Sequence, residues 1–129
     1  MNIEYPSILR RYLSSFLDGC LVLALFILIP YIIGDGENTL ALRIYITIVL
    51  VFIYEPLFTS KLCTLGQKIT GIRVRNYQNY NNIGYFAALY RYLLKGILGF
   101  ISLFSIVFSK DKRAIHDFAV DSIVIMKMT

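Results

Sequence analysis

The sequence predicts an all-α integral membrane protein: two transmembrane helices, a bent or re-entrant third hydrophobic segment, and two short runs able to form a small cytoplasmic β-pair. Three observations predict it. Of 129 residues, 57% are hydrophobic and only 16% charged, whereas a soluble domain carries ~45–50% apolar and ~25% charged residues. Two apolar runs are long enough to cross a bilayer. The basic residues gather at the ends of those runs. A domain this small cannot hide so much apolar surface in its own interior, but a bilayer accepts it. One domain over residues 1–129 is expected, and a large soluble enzyme with its own cleft is excluded.

The first span is Leu13–Ile33, which contains one charge, Asp18, and ends at Gly34. At ~1.5 Å per residue it covers the ~30 Å hydrocarbon layer. Pro30 sits near its end, where a kink costs least. Arg10, Arg11 and Tyr12 resemble the start of a twin-arginine export signal. Asp18 interrupts the apolar region, however, and no small-x-small cleavage site follows before Gly34, so an uncleaved anchor is expected. A short linker with Asp35 and Glu37 leads into the second apolar run, Ile44 to Phe58, broken only by Glu55 and Pro56; with Leu40 to Arg43 ahead of it, it is long enough for a second span at about residues 41–58.

Residues 59–82 form a polar linker with Lys61, Lys68, Arg73 and Arg75 and no acidic residue. The positive-inside rule places this linker and the Arg10–Arg11 end in the cytoplasm, and the Asp35/Glu37 linker outside. Within it, Gly71–Arg75 alternates apolar and basic residues, a strand pattern, and the Asn/Tyr-rich run 76–82 reads as a turn. The third hydrophobic region, residues 83–108, has an uncharged stretch of only 13 residues, Gly96 to Phe108. Ahead of it Arg91 and Lys95 lie one helical turn apart. A full span would bury both cations and put Lys110, Lys112 and Arg113 outside. A helix bent at Gly96 or Gly99 that leaves on its side of entry avoids both costs and is preferred. The tail, 109–129, ends in Ser122–Met126, a second β-type run that could pair with Gly71–Arg75.

Net charge is +5, yet no basic cluster is interleaved with exposed aromatics, so no nucleic-acid partner is expected. The expected partners are anionic lipid head groups of the bilayer, with a second copy of the chain or another membrane protein. Cys20 and Cys63 make neither a disulfide framework nor a metal motif. His116-Asp117 is an HD pair, but one histidine cannot supply a metal site. No glycine-rich phosphate loop is present; Gly66 and Gly71 read as turn glycines. No cofactor and no catalytic residue is assigned.

Arg11, Ser14, Ser15 and Asp18 fall at i, i+3, i+4 and i+7, one polar stripe on the first span. A carboxylate there should face protein or water, with a cation as partner. Arg11 is two turns away; Arg91 and Lys95 are the other candidates, and Glu55 offers them a second partner. The charge network expected to matter is therefore Arg11, Asp18, Glu55, Arg91, Lys95 and Asp117. It can serve as a proton or cation pathway, or it can fix helix packing, and the residues weigh these equally.

Several patterns then resemble one family. Arg11 with Asp18 looks like the opening of the RDD family of small membrane proteins. The run 64–74, with Gly66, Gln67, Lys68, Gly71 and Arg73, is similar to its Gly-Lys linker motif. Arg91 matches an Arg of its third hydrophobic region, and Arg113, His116 and Asp117, followed by Ser122-Ile123-Val124, resemble its tail motif. Its three name residues would be Arg11, Asp18 and Asp117. Gln67 stands where the family usually has Lys, which weighs against that position binding a phosphate or head group, and Asp121 stands where Gly is common. The resemblance implies a multi-pass protein of the bacterial inner membrane, with transport of ions or other ligands suggested for the family. Transport through a charged intramembrane site, with Asp18 as the titrating carboxylate in an oligomer, is the first expectation. A non-catalytic accessory or scaffold subunit is the second, and an enzyme a distant third.

Overall fold

The computed structural model describes residues 3–34 and 36–127, so Asp35 of the acidic linker lies outside the described residues. The chain runs α1 (Ile8–Ile33), α2 (Thr39–Lys61), α3 (Leu65–Thr70), β1 (Ile72–Asn76), α4 (Tyr85–Leu98), α5 (Phe100–Phe108), α6 (Ile115–Ala119) and β2 (Ser122–Met126). It is mostly helical, with one small antiparallel sheet.

α1 and α2, of 26 and 23 residues, are long and apolar enough to cross a membrane. Their outer faces leave Leu23, Ile27, Tyr31, Ile48 and Ile53 exposed. Both are longer than the apolar runs that announced them. α1 starts five residues before Leu13, so Arg10 and Arg11 are on its first turns, and α2 continues past residue 58 to Lys61. Intrahelical backbone bonds tolerate polar side chains, so helix ends overrun the apolar stretch.

The expected linker 59–82 is largely ordered structure. α3 exists because Thr64 caps it: its Oγ1 accepts from the Gln67 N–H at 3.2 Å, and Gln67 Oε1 accepts from the Thr64 N–H at 3.4 Å. That reciprocal pair satisfies two otherwise orphan donors. Gly71 ends α3 in the left-handed region (φ 71°), as a turn glycine should. Gly66 is not a turn glycine: it lies inside α3, against α1.

β1 pairs with β2 as the sequence pattern suggested, in the register Ile72↔Met126, Val74↔Val124 and Asn76↔Ser122. The strand covers 72–76 rather than 71–75, because Gly71 is used as the helix cap. One face of the sheet packs with Ile83 and Ala88 to form a core of Ile72, Val74, Ile83, Ala88 and Val124. The Met126 N–H donates to the Glu4 carbonyl at 2.9 Å, so the segment before α1 flanks β2.

The third hydrophobic region is two helices. α4 stops at Leu98, Gly99 takes φ 53° and ψ −132°, and α5 runs nine residues. Of the two glycines expected to bend the chain, Gly99 does so, while Gly96 stays helical. The chain then returns through α6 to β2, beside β1, so both ends of the region lie at the same end of the molecule.

Candidate functional site

Three buried charged groups meet where α1, α4 and α6 converge. Asp117 is fully buried (0% exposed). One carboxylate oxygen accepts from Arg11 Nη2 and from the Ala114 N–H at 3.0 Å; the other accepts from Arg91 Nε at 2.8 Å. Burial alone would raise the Asp117 pKa, but the Arg11 and Arg91 charges reverse this and hold the carboxyl well below its usual range. Arg11 also donates to the Lys112 carbonyl at 2.7 Å. Arg11, Arg91 and Lys95 are the cations weighed as partners for Asp18; Arg11 and Arg91 pair with Asp117 instead, and Lys95 with Glu55. Both Asp18 and Arg11 are on α1, two turns apart, and the folded tail brings an acid closer.

His116 is equally buried. Its backbone N–H donates to Ser102 Oγ at 3.2 Å, and Ser102 Oγ lies 2.6 Å from His116 Nδ1. With the serine oxygen accepting from the backbone, its own proton is free to go to Nδ1, leaving the imidazole proton on Nε2, 3.6 Å from Asp117 Oδ1. Burial, then the Arg91 charge, push the imidazole down to about 3, so it is neutral near pH 7. Ser102, His116 and Asp117 thus lie in a row, buried at 0, 1 and 0% exposure, with the His116–Asp117 separation beyond hydrogen-bond distance.

Asp18 has different company. Its carboxylate accepts from Thr64 Oγ1 at 2.6 Å, the Gly66 N–H at 2.9 Å and the Tyr54 hydroxyl at 3.2 Å. No cation lies within ion-pair distance among the described residues, so the expected cationic partner is replaced by neutral donors. Gly66 is what permits the approach: a Cβ there would stand 2.1 Å from the Ser14 carbonyl oxygen. Tyr54 also accepts the Leu65 N–H at 3.0 Å, tying α2 to the same corner.

Glu55 and Lys95 pair across α2 and α4 at 2.9 Å, partly buried. Beside them an open cleft of about 520 Å³ lies between α1, α2 and α4, with Ser15, Asp18, Glu55, Tyr92 and Lys95 on its wall. A small pocket of about 20 Å³ is bordered by Asp18 and Gln67 on one side and by Arg11, Arg91 and His116, which surround Asp117, on the other. It has room for a single water.

The remaining motif residues have structural places. Gln67 completes the α3 cap and donates to Thr59 Oγ1 at 3.2 Å; Lys68 is exposed on α3. Arg113 donates to the Ser122 carbonyl at 2.9 Å and to Asp121 at 3.2 Å, stacked on Tyr77 and Phe118. Asp121 has φ 51°, the left-handed backbone that suits Gly. Arg73, half-buried, lies on β1 between the core residues Ile72 and Val74, its side chain on the opposite face of the sheet. Sequence reasoning missed Tyr54 and Ser102, hydroxyls with no spacing signal, and the Thr64 bond to Asp18: the Thr64-x-x-Gln67 spacing marks a helix start, but only the fold brings that hydroxyl to Asp18. Among the described residues no group of three or more His, Cys, Asp or Glu could hold a metal ion.

A family model described as the RDD family matches residues 5–121. No curated protein and no solved structure matches the chain.

Proposed function

The chain belongs to the RDD family, and on that premise we propose that it is a multi-pass membrane protein whose cleft between α1, α2 and α4 binds and passes a small cation or a proton. The observation that carries this reading is the contrast between its two buried aspartates. Asp117 has two arginines and no charge to spare. Asp18 has neutral donors only and lines the open cleft with Glu55 and Lys95. The wall therefore carries two carboxylates and one ammonium, an arrangement that attracts a single positive charge where apolar surroundings make charge costly.

In this reading α1 and α2 span the inner membrane, and α4–α5 enters and leaves from the cytoplasmic side. The contacts of the tail with the start of α1 support it: Asp117 meets Arg11, and Met126 meets Glu4. Basic residues at that end place it in the cytoplasm by the positive-inside rule. Several copies would have to assemble for so few helices to enclose a continuous path.

The test is proton and sodium flux in vesicles holding only the purified chain, wild type beside Asp18→Asn and Glu55→Gln. Flux lost in both variants, each still folded, is the expected result. A folded wild type that moves neither ion refutes the pathway. It would favour the second reading, an accessory subunit, for which the internally satisfied Arg11–Asp117–Arg91 staple is the supporting observation.

A further inference from the structure

The sheet presents a second feature on its other face. Ile72 and Val74 point into the core, so alternation places Arg73 and Arg75 opposite, across from Ile125 and Ile123. They border an open groove of about 490 Å³ with Lys127, over a floor that includes Ile125 and Met126, and among the described residues no acidic one lines it. Among the described residues no carboxylate pairs with Arg73, Arg75 or Lys127. Three unneutralised cations around one concavity suit an anion, and two guanidinium forks suit a phosphate in particular.

A second groove, of about 310 Å³, adjoins it and shares Arg73 and Lys127. Its other walls include Phe58, Leu62 and Leu65. Phe58 is on the last turn of α2, and Arg73 Nη1 donates to the Leu62 carbonyl at 3.4 Å. The basic concavity thus opens onto an apolar one that leads to the cytoplasmic end of a long apolar helix. Leu62 and Leu65 are 64% and 48% exposed, which costs little only if something apolar covers them. A free phosphate would use the first groove and leave the second empty; a phospholipid uses both.

We propose that the paired grooves bind an anionic phospholipid, with Arg73, Arg75 and Lys127 on the headgroup phosphate and an acyl chain along Phe58, Leu62 and Leu65. The proposal rests on the membrane-spanning reading of α2, and it names the lipid contact at residue level.

The experiment titrates the full chain, in a neutral detergent, with short-chain phosphatidylglycerol, phosphatidylcholine of the same chains, and glycerol phosphate, counting bound molecules by native mass spectrometry. The expected result is one phosphatidylglycerol held about ten-fold more tightly than phosphatidylcholine, with glycerol phosphate weaker still. Arg73→Gln/Arg75→Gln should abolish that preference, Arg75→Lys should keep most of it, and Lys110→Gln, an exposed cation outside the grooves, should leave it unchanged. Unfolding midpoints in the same detergent verify that each variant is folded. Equal binding of the two lipids, or a preference that survives in the double arginine variant, overturns the proposal. Glycerol phosphate binding as tightly as the lipid also overturns it and reassigns the basic groove to a soluble phosphate compound. Alkaline carbonate extraction of membranes checks the premise separately: release of the chain refutes the spanning reading whatever the titration reports.

Discussion

Replacing Gly66 by alanine adds one methyl group at the place where α3 meets α1. That Cβ would lie 2.1 Å from the Ser14 carbonyl oxygen and 2.9 Å from Asp18 Cγ and Oδ2. Against an ordinary van der Waals separation of ~3.5 Å, the shortfall to Ser14 exceeds ~1 Å. The obstructing atom is backbone, so no rotamer change relieves it and α3 must move away. Overpacking of this kind costs ~1–3 kcal/mol. The movement also stretches the Gly66 N–H bond to Asp18, now 2.9 Å; losing a hydrogen bond to a charged group adds ~1.5–3 kcal/mol. The better helix propensity of alanine returns at most ~1 kcal/mol. A net destabilisation of about 1.5–6 kcal/mol is expected. Gly96→Ala is the control, because nothing lies within 4 Å of its Cβ and it sits inside α4, so it should be neutral or stabilising by up to ~1 kcal/mol. Reversible unfolding of the purified chain in detergent measures both. If Gly66→Ala falls within ~0.5 kcal/mol of wild type, the close packing of α3 on α1 is not as described.

Three further outcomes are expected. Asp117→Asn leaves Arg11 and Arg91 buried without their counter-charge and should cost about 3–5 kcal/mol in the same unfolding assay; a loss under ~1 kcal/mol would mean the arginines reach water. His116 is held neutral, from an ordinary 6.5 down to about 3. The unfolded chain therefore binds a proton that the fold rejects, and its contribution, complete above pH 6.5, drains as pH falls toward 3 at up to ~1.4 kcal/mol per pH unit. His116→Gln should flatten the stability–pH curve in that window whatever its absolute stability, and parallel curves would disprove the burial. At Asp121, with φ 51°, glycine should be more stable than alanine by about 1 kcal/mol; equal midpoints for the two variants would show that the backbone relaxes there.

What the sequence determined by itself is whatever repeats along the chain. Long apolar runs with few interruptions specify α1 and α2, because a helix satisfies its backbone hydrogen bonds locally. The alternation at 71–75 and the β-type run at 122–126 specify strands, and their pairing follows once the third hydrophobic region turns back, which Gly99 with its positive φ brings about. The polar stripe of Arg11, Ser14, Ser15 and Asp18 was readable for the same reason of period; Arg11, Ser14 and Asp18 are buried and Ser15 half-buried. Which charges pair was decided only by the tertiary structure. Asp117 is 106 positions from Arg11 and 26 from Arg91, and Asp18 takes its donors from Tyr54, Thr64 and Gly66. A carboxylate prefers whichever donors the fold delivers within ~3 Å, and sequence distance carries no information about that. The two glycines of the linker make the same point: Gly71 is legible as a turn, whereas Gly66 is small because of an α1 carbonyl oxygen that is adjacent only once the chain has folded.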